Sequence, residues 1–164
     1  KAGSLAGLLC STQVHANHYQ LFLVRHAEKA ATTADPALSE CGKLQAKALA
    51  TLLKEVPLPQ IYHTPYQRTT MTAQALLQPG RTLQSYDPAK LAEFSKKLQQ
   101  QQQSAVVVGH SNTTPQLAAL LSGKDIAPLS ESQYGVIYQL TFNDNQLQSL
   151  NQLQLPQPDA CLNN

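Results

Sequence analysis

Apolar positions along this chain fall into short continuous runs separated by stretches of helical spacing. Leu21-Phe22-Leu23-Val24 and Ala105-Val106-Val107-Val108 are uninterrupted, which marks strands buried on both faces. With residues 60–63, 82–86 and 135–142 they give five strand candidates, and 146–153 adds a sixth across the Asn143-Asp144-Asn145 turn. Helical patterns lie between them. Ser39 reads as the N-cap of a helix through Leu44, Ala48, Leu52 and Leu53, which share one face and stop before Pro57. A second helix over 66–77 stops at Pro79-Gly80. Pro88, at a first helical position, opens a third through Leu91, Phe94 and Leu98; Thr114-Pro115 opens the last, through Leu121. Strands interleaved with helices predict a three-layer α/β/α sandwich on a mainly parallel sheet, with the final hairpin antiparallel. The glutamine run at 99–103 reads as a solvated helix end or loop.

At 164 residues the chain fits one domain with a substantial core. A net charge of +2 with 13% charged residues gives no basic stripe of the kind that binds nucleic acid. No window approaches the length of an integral membrane segment. Residues 1–16 read as the remnant of a signal peptide, with an apolar stretch to Cys10 and Val14-His15-Ala16 before a cleavage point, so residues 17–164 form the domain. A lipoprotein reading of Cys10 is disfavoured by the bulky Leu8-Leu9 before it. Export implies a periplasmic or secreted protein, in which Cys41 and Cys161 remain as either one disulfide or two free thiols.

The chemistry gathers where strands end. The first apolar run stops at Arg25-His26-Ala27-Glu28-Lys29, the central one at Gly109-His110-Ser111-Asn112, and the helix after residues 60–63 carries Arg68 in Arg68-Thr69-Thr70-Met71-Thr72-Ala73. In open α/β sheets the carboxyl ends of strands line the ligand crevice. These three motifs, in this order, resemble the histidine phosphatase superfamily, branch 1, whose members include phosphoglycerate-mutase-like proteins. The resemblance runs from about Tyr19 to Leu121, and Leu38-Ser39-Glu40-Cys41-Gly42 is similar to the family's first helix start.

Phosphoryl transfer needs an in-line nucleophile and donors around the equatorial oxygens. A neutral imidazole on a strand end meets the first need, which makes His26 the candidate nucleophile through a phosphohistidine. The resemblance implies that Arg25, Arg68 and His110 clamp the phosphate, and the planar arginine fork suits that task. For the general acid it points to the place after the third strand, where Asp87 stands in Tyr86-Asp87-Pro88; Asp before Pro is equally an ordinary turn residue. Glu28 is the rival, Glu93 fits an exposed helix face, and a site with no acid would suit phosphoramidates or acyl phosphates.

His63 stands where related sequences often carry serine, either as a phosphate donor or as a strand cap. Ser111 and Asn112 offer backbone N–H groups to an anion, or Asn112 caps its helix. His15 and His18 flank the presumed cleavage point. No carboxylate or cysteine accompanies the histidines at metal-ligand spacing, so the expectation is a metal-independent phosphomonoester hydrolase without a cofactor. Its substrate would be a small molecule or a phosphoprotein. The alternative is a phosphate- or sugar-phosphate-binding module with little catalysis.

Overall fold

The computed structural model describes residues 16–162, so most of the presumed signal segment lies outside the described residues. A six-stranded sheet forms the middle layer: β1 (His18–Arg25), β2 (Gln60–His63), β3 (Thr82–Ser85), β4 (Ala105–Gly109), β5 (Val136–Asn143) and β6 (Gln146–Gln154). Its order is β3-β2-β4-β1-β5-β6. The β1–β4, β2–β4 and β2–β3 pairs are parallel, whereas β5 runs antiparallel to β1 and β6 antiparallel to β5. This is the architecture expected from the interleaved pattern.

Alternation along the central strands assigns the two faces. Leu21, Leu23 and Val107 join Phe94, Leu98, Leu117 and Leu121 of α3 (Leu91–Gln101) and α4 (Thr113–Ser122) in one core. Phe22, Val24, Val106 and Val108 pack instead on Leu49 of α1 (Glu40–Leu52) and Ala73 of α2 (Gln67–Gln74). Strands β1 and β4 are thus covered on both sides, which is why they read as unbroken apolar runs.

Three details differ from the pattern-based expectation. Helix α1 begins as predicted, with the Ser39 hydroxyl accepting from the Gly42 N–H, but it buries Gly42, Gln45, Ala46 and Leu49 and leaves Leu44 and Leu52 exposed. The close approach of Gly42 to the Glu28 carbonyl, where a Cβ would overlap, turns that face inward. Pro88 does not open α3; residues 88–90 form a turn and the helix starts at Leu91. The shorter α2 likewise ends at Gln74, where the chain tightens before Pro79.

Candidate active site

Arg25 and Gly109 are register partners at the carboxyl ends of the two central strands, and the His26 N–H donates to the Gly109 carbonyl at 2.8 Å. This cross-link fixes His26 beside His110, with ring centroids 5.6 Å apart. Gly109 is required by space, since a Cβ there would lie 2.9 Å from both the Thr114 and Tyr86 hydroxyl oxygens. The cleft above is about 440 Å³ and is lined by Arg25, His26, Lys29, Tyr66, Arg68 and His110, with Ser111, Asn112 and Glu131 at its rim.

His26 is almost wholly buried. Its Nδ1 lies 2.7 Å from the Ala27 carbonyl oxygen, which can only accept, so Nδ1 carries the proton and Nε2 keeps its lone pair. Burial above all, then the charges of Arg25 and Arg68 and the neighbouring His110, lower its pKa to about 3. The imidazole is therefore neutral at physiological pH and nucleophilic at one nitrogen.

His110 is fixed by a chain of hydroxyls. Arg68 Nη2 donates to its Nδ1 at 3.4 Å, which leaves the proton on Nε2, 2.8 Å from Thr64 Oγ1. Thr64 Oγ1 in turn lies 2.8 Å from Thr69 Oγ1, and the Thr69 hydroxyl donates to the Thr64 and Tyr66 carbonyls. Each hydroxyl has one proton, so the chain runs in one direction, from His110 through Thr64 to Thr69. Burial and the two arginines lower the His110 pKa to about 4. Arg68 also lies over the Tyr66 ring, 4.7 Å from its centroid, which limits where its fork can point.

Arg25 is divided between two tasks. Its Nη1 donates to the carbonyls of Ser130, Glu131 and Gln133, and its guanidinium stacks 4.1 Å above Tyr134. Nε is buried without a partner, and Nη2 has only contacts of 3.5 Å, to Glu131 Oε2 and the Tyr134 hydroxyl. Nε and Nη2 share one edge of the fork, the edge a planar oxyanion takes bidentately. An anion in the cleft thus meets unspent donors on Arg25 and Arg68.

The structure brings Arg25, His26, Arg68 and His110 together. It does not bring Asp87 or His63 to the cleft. The Asp87 carboxylate caps the Ala89 N–H at 2.9 Å, as an Asp-Pro turn dictates, and lines a separate depression with Lys90, Glu93 and Lys97. His63 donates to the Thr64 carbonyl and sits 3.1 Å from the Thr70 hydroxyl, on the flank of α2. Glu28 accepts from Ser39 at 2.8 Å and steadies the start of α1. Asn112 makes no side-chain cap and lines the cleft instead.

Sequence reasoning missed Glu131, Tyr134 and Thr64. Glu131 lies in a polar segment with no periodicity, yet a topological signal was available. An antiparallel β5 must begin beside the carboxyl end of β1, where Ile137 pairs with Val24, so the loop before it has to return past His26.

Residues 21–95 match the profile of the histidine phosphatase superfamily (branch 1). Over these residues the chain is similar to this superfamily. No curated protein sequence matches it. Among solved structures, it is similar to the protein histidine phosphatase SixA in complex with tungstate, at 19% identity and TM-score 0.68, covering 82% of this chain and 96% of that one. An α-ribazole phosphatase from Shigella flexneri aligns at 17% identity and TM-score 0.67, covering 84% and 96%. A mycobacterial glucosyl-3-phosphoglycerate phosphatase aligns at 14% and 0.65, covering 84% and 97%. At these identities the likeness carries the fold.

Proposed function

We propose that this histidine phosphatase domain hydrolyses phosphomonoesters through a phosphohistidine formed on His26 Nε2. The match of residues 21–95 to the superfamily profile and the phosphatases among the structural neighbours support phosphatase activity. The observation that carries the mechanism is the His26 tautomer: a neutral ring held by Ala27, with a free lone pair at the floor of a cleft that bears two arginines. In this reading the Nε–Nη2 edge of Arg25 and the Arg68 fork, the latter positioned by His110, surround the phosphoryl oxygens as charge develops on them. No metal is required in this mechanism. The substrate is a small phosphorylated metabolite or a phosphoprotein.

The same proposal puts the protein in the periplasm or outside the cell. Its supports are the signal-like segment at the start of the chain and the disulfide joining Cys41 to Cys161, a bond that persists in oxidising compartments.

His26→Ala is expected to abolish turnover of p-nitrophenyl phosphate with an unchanged fold, and wild-type protein quenched during turnover should carry acid-labile, base-stable phosphate. Arg68→Lys, which keeps the charge and loses the fork, should slow the reaction on the order of 10²-fold. EDTA should leave the rate unchanged. An active His26→Ala variant overturns the mechanism, and strict metal dependence overturns the metal-free reading. A binding module without catalysis is the second reading, favoured by the absence of Asp87 from the cleft. A folded wild-type protein that binds phosphate and turns over no aryl phosphate would establish it.

A further inference from the structure

We propose that Glu131 is the group that protonates the departing oxygen, an assignment that rests on the phosphatase reading above. Among the described residues lining the cleft it is the one carboxylate. Its side chain is 80% exposed, whereas His26 is only 4% exposed. In-line displacement drives the leaving group away from the nucleophile. With His26 on the floor and Glu131 on the rim, the leaving oxygen moves toward the carboxyl group.

Glu131 also has partners suited to exchange. Its Oε2 sits 3.5 Å from Arg25 Nη2 and its Oε1 accepts from the Ser111 hydroxyl at 3.1 Å. A phosphoryl group taking the Nε–Nη2 edge of Arg25 displaces Oε2 from that edge, while Ser111 keeps hold of Oε1. The carboxyl group is open to solvent, from which a proton can reach it. The loop that carries Glu131 is tied to the clamp, because the carbonyls of Ser130, Glu131 and Gln133 accept from Arg25 Nη1. Acid and clamp are thereby held in one unit.

The step balances. The Nε2 lone pair forms the N–P bond, the P–O bond breaks with its electron pair going to oxygen, and that oxygen takes the Glu131 proton to leave as the alcohol. The resulting carboxylate then accepts a proton from water as the water oxygen attacks phosphorus. The N–P electron pair returns to Nε2 and phosphate departs.

The test compares p-nitrophenyl phosphate, whose leaving group needs no proton, with phenyl phosphate, whose leaving group does. Glu131→Gln is expected to lower kcat/KM, which reports the steps up to leaving-group departure and not hydrolysis of the phosphohistidine, on the order of 10²-fold for phenyl phosphate and by less than about threefold for p-nitrophenyl phosphate. An equal fall in kcat/KM for both substrates, or a fall for neither, overturns the assignment. So does a selective loss on phenyl phosphate in Asp87→Asn with none in Glu131→Gln. His26→Ala run alongside separates the two levels. If it silences both substrates while Glu131→Gln lowers kcat/KM equally for both, only the role of Glu131 fails; if it remains active, the phosphohistidine reading fails and Glu131 with it.

Discussion

His26 shows how much one position can be asked to do. Facing the Ala27 carbonyl settles its tautomer, and burial beside two arginines keeps it neutral. That neutrality costs stability in acid. The folded-state pKa of about 3 lies below the ordinary histidine value, so as pH falls below about 6.5 the unfolded chain takes up a proton that the native ring refuses. Stability therefore falls from pH 7 downward and levels off only below the folded pKa, with His110 acting in the same direction from its value of about 4. Between pH 7 and pH 5 His26 alone accounts for about 2 kcal/mol. Urea unfolding at the two pH values should show a smaller acid loss in His26→Gln than in the wild type, and an equal loss in both would mean that His26 is protonated in the folded protein. Arg25, His26 and His110 were legible as cleft residues because a strand end confers position and an arginine or histidine there has few other reasons to be buried, whereas Arg68, on α2, was legible only through the motif it stands in. Asp87 was misplaced because an Asp before Pro satisfies its own turn, a local demand that outweighs a more distant cleft.

The strands were readable because two covered faces leave no polar position from Leu21 to Val24 of β1 or along β4. Helix α1 was readable in extent but not in rotation. Its sequence offers two apolar stripes, and the choice between them is made by Gly42, whose missing side chain admits the Glu28 carbonyl two residues after His26. Gln45 adds to the same contact by accepting from the Glu28 N–H at 2.9 Å. Substituting alanine for glycine inside a helix ordinarily gains about 1 kcal/mol. At Gly42 the added methyl meets backbone that has to move, at a cost of about 1–3 kcal/mol typical of overpacking. Gly42→Ala is therefore expected to lower the urea midpoint and to reduce turnover, because the displaced segment carries the Ala27 carbonyl that orients His26. A raised midpoint would show that α1 can shift freely, and that Gly42 does not set its rotation.

Across the whole molecule, the site end is closed by chain that returns from far away. The reversal at β5 carries Glu131 and Tyr134 past His26, and the end of β6 with the segment after it then braces that loop. Gln154 Nε2 donates to the Tyr134 carbonyl at 2.9 Å, the Leu155 N–H to Gly135 at 2.8 Å, and Gln45 bridges to Gln157 at 2.7 Å. The Cys41–Cys161 disulfide, 120 residues apart in sequence, pins the last turn to the start of α1. In the chain-entropy account a bridge closing so long a loop acts chiefly on the unfolded state. Cys161→Ser should thus destabilise the protein by about 2–5 kcal/mol in urea. Turnover in buffer should change little, because Gln154 and Leu155 hold Tyr134 without help from the bridge. Dithiothreitol should reproduce the loss of stability in the wild type and add nothing in the variant. An unchanged midpoint would mean that the bridge does not restrain the unfolded chain. A collapse of activity at full folding would mean that the bridge, and not the hydrogen bonds of residues 154–157, holds the loop over the nucleophile.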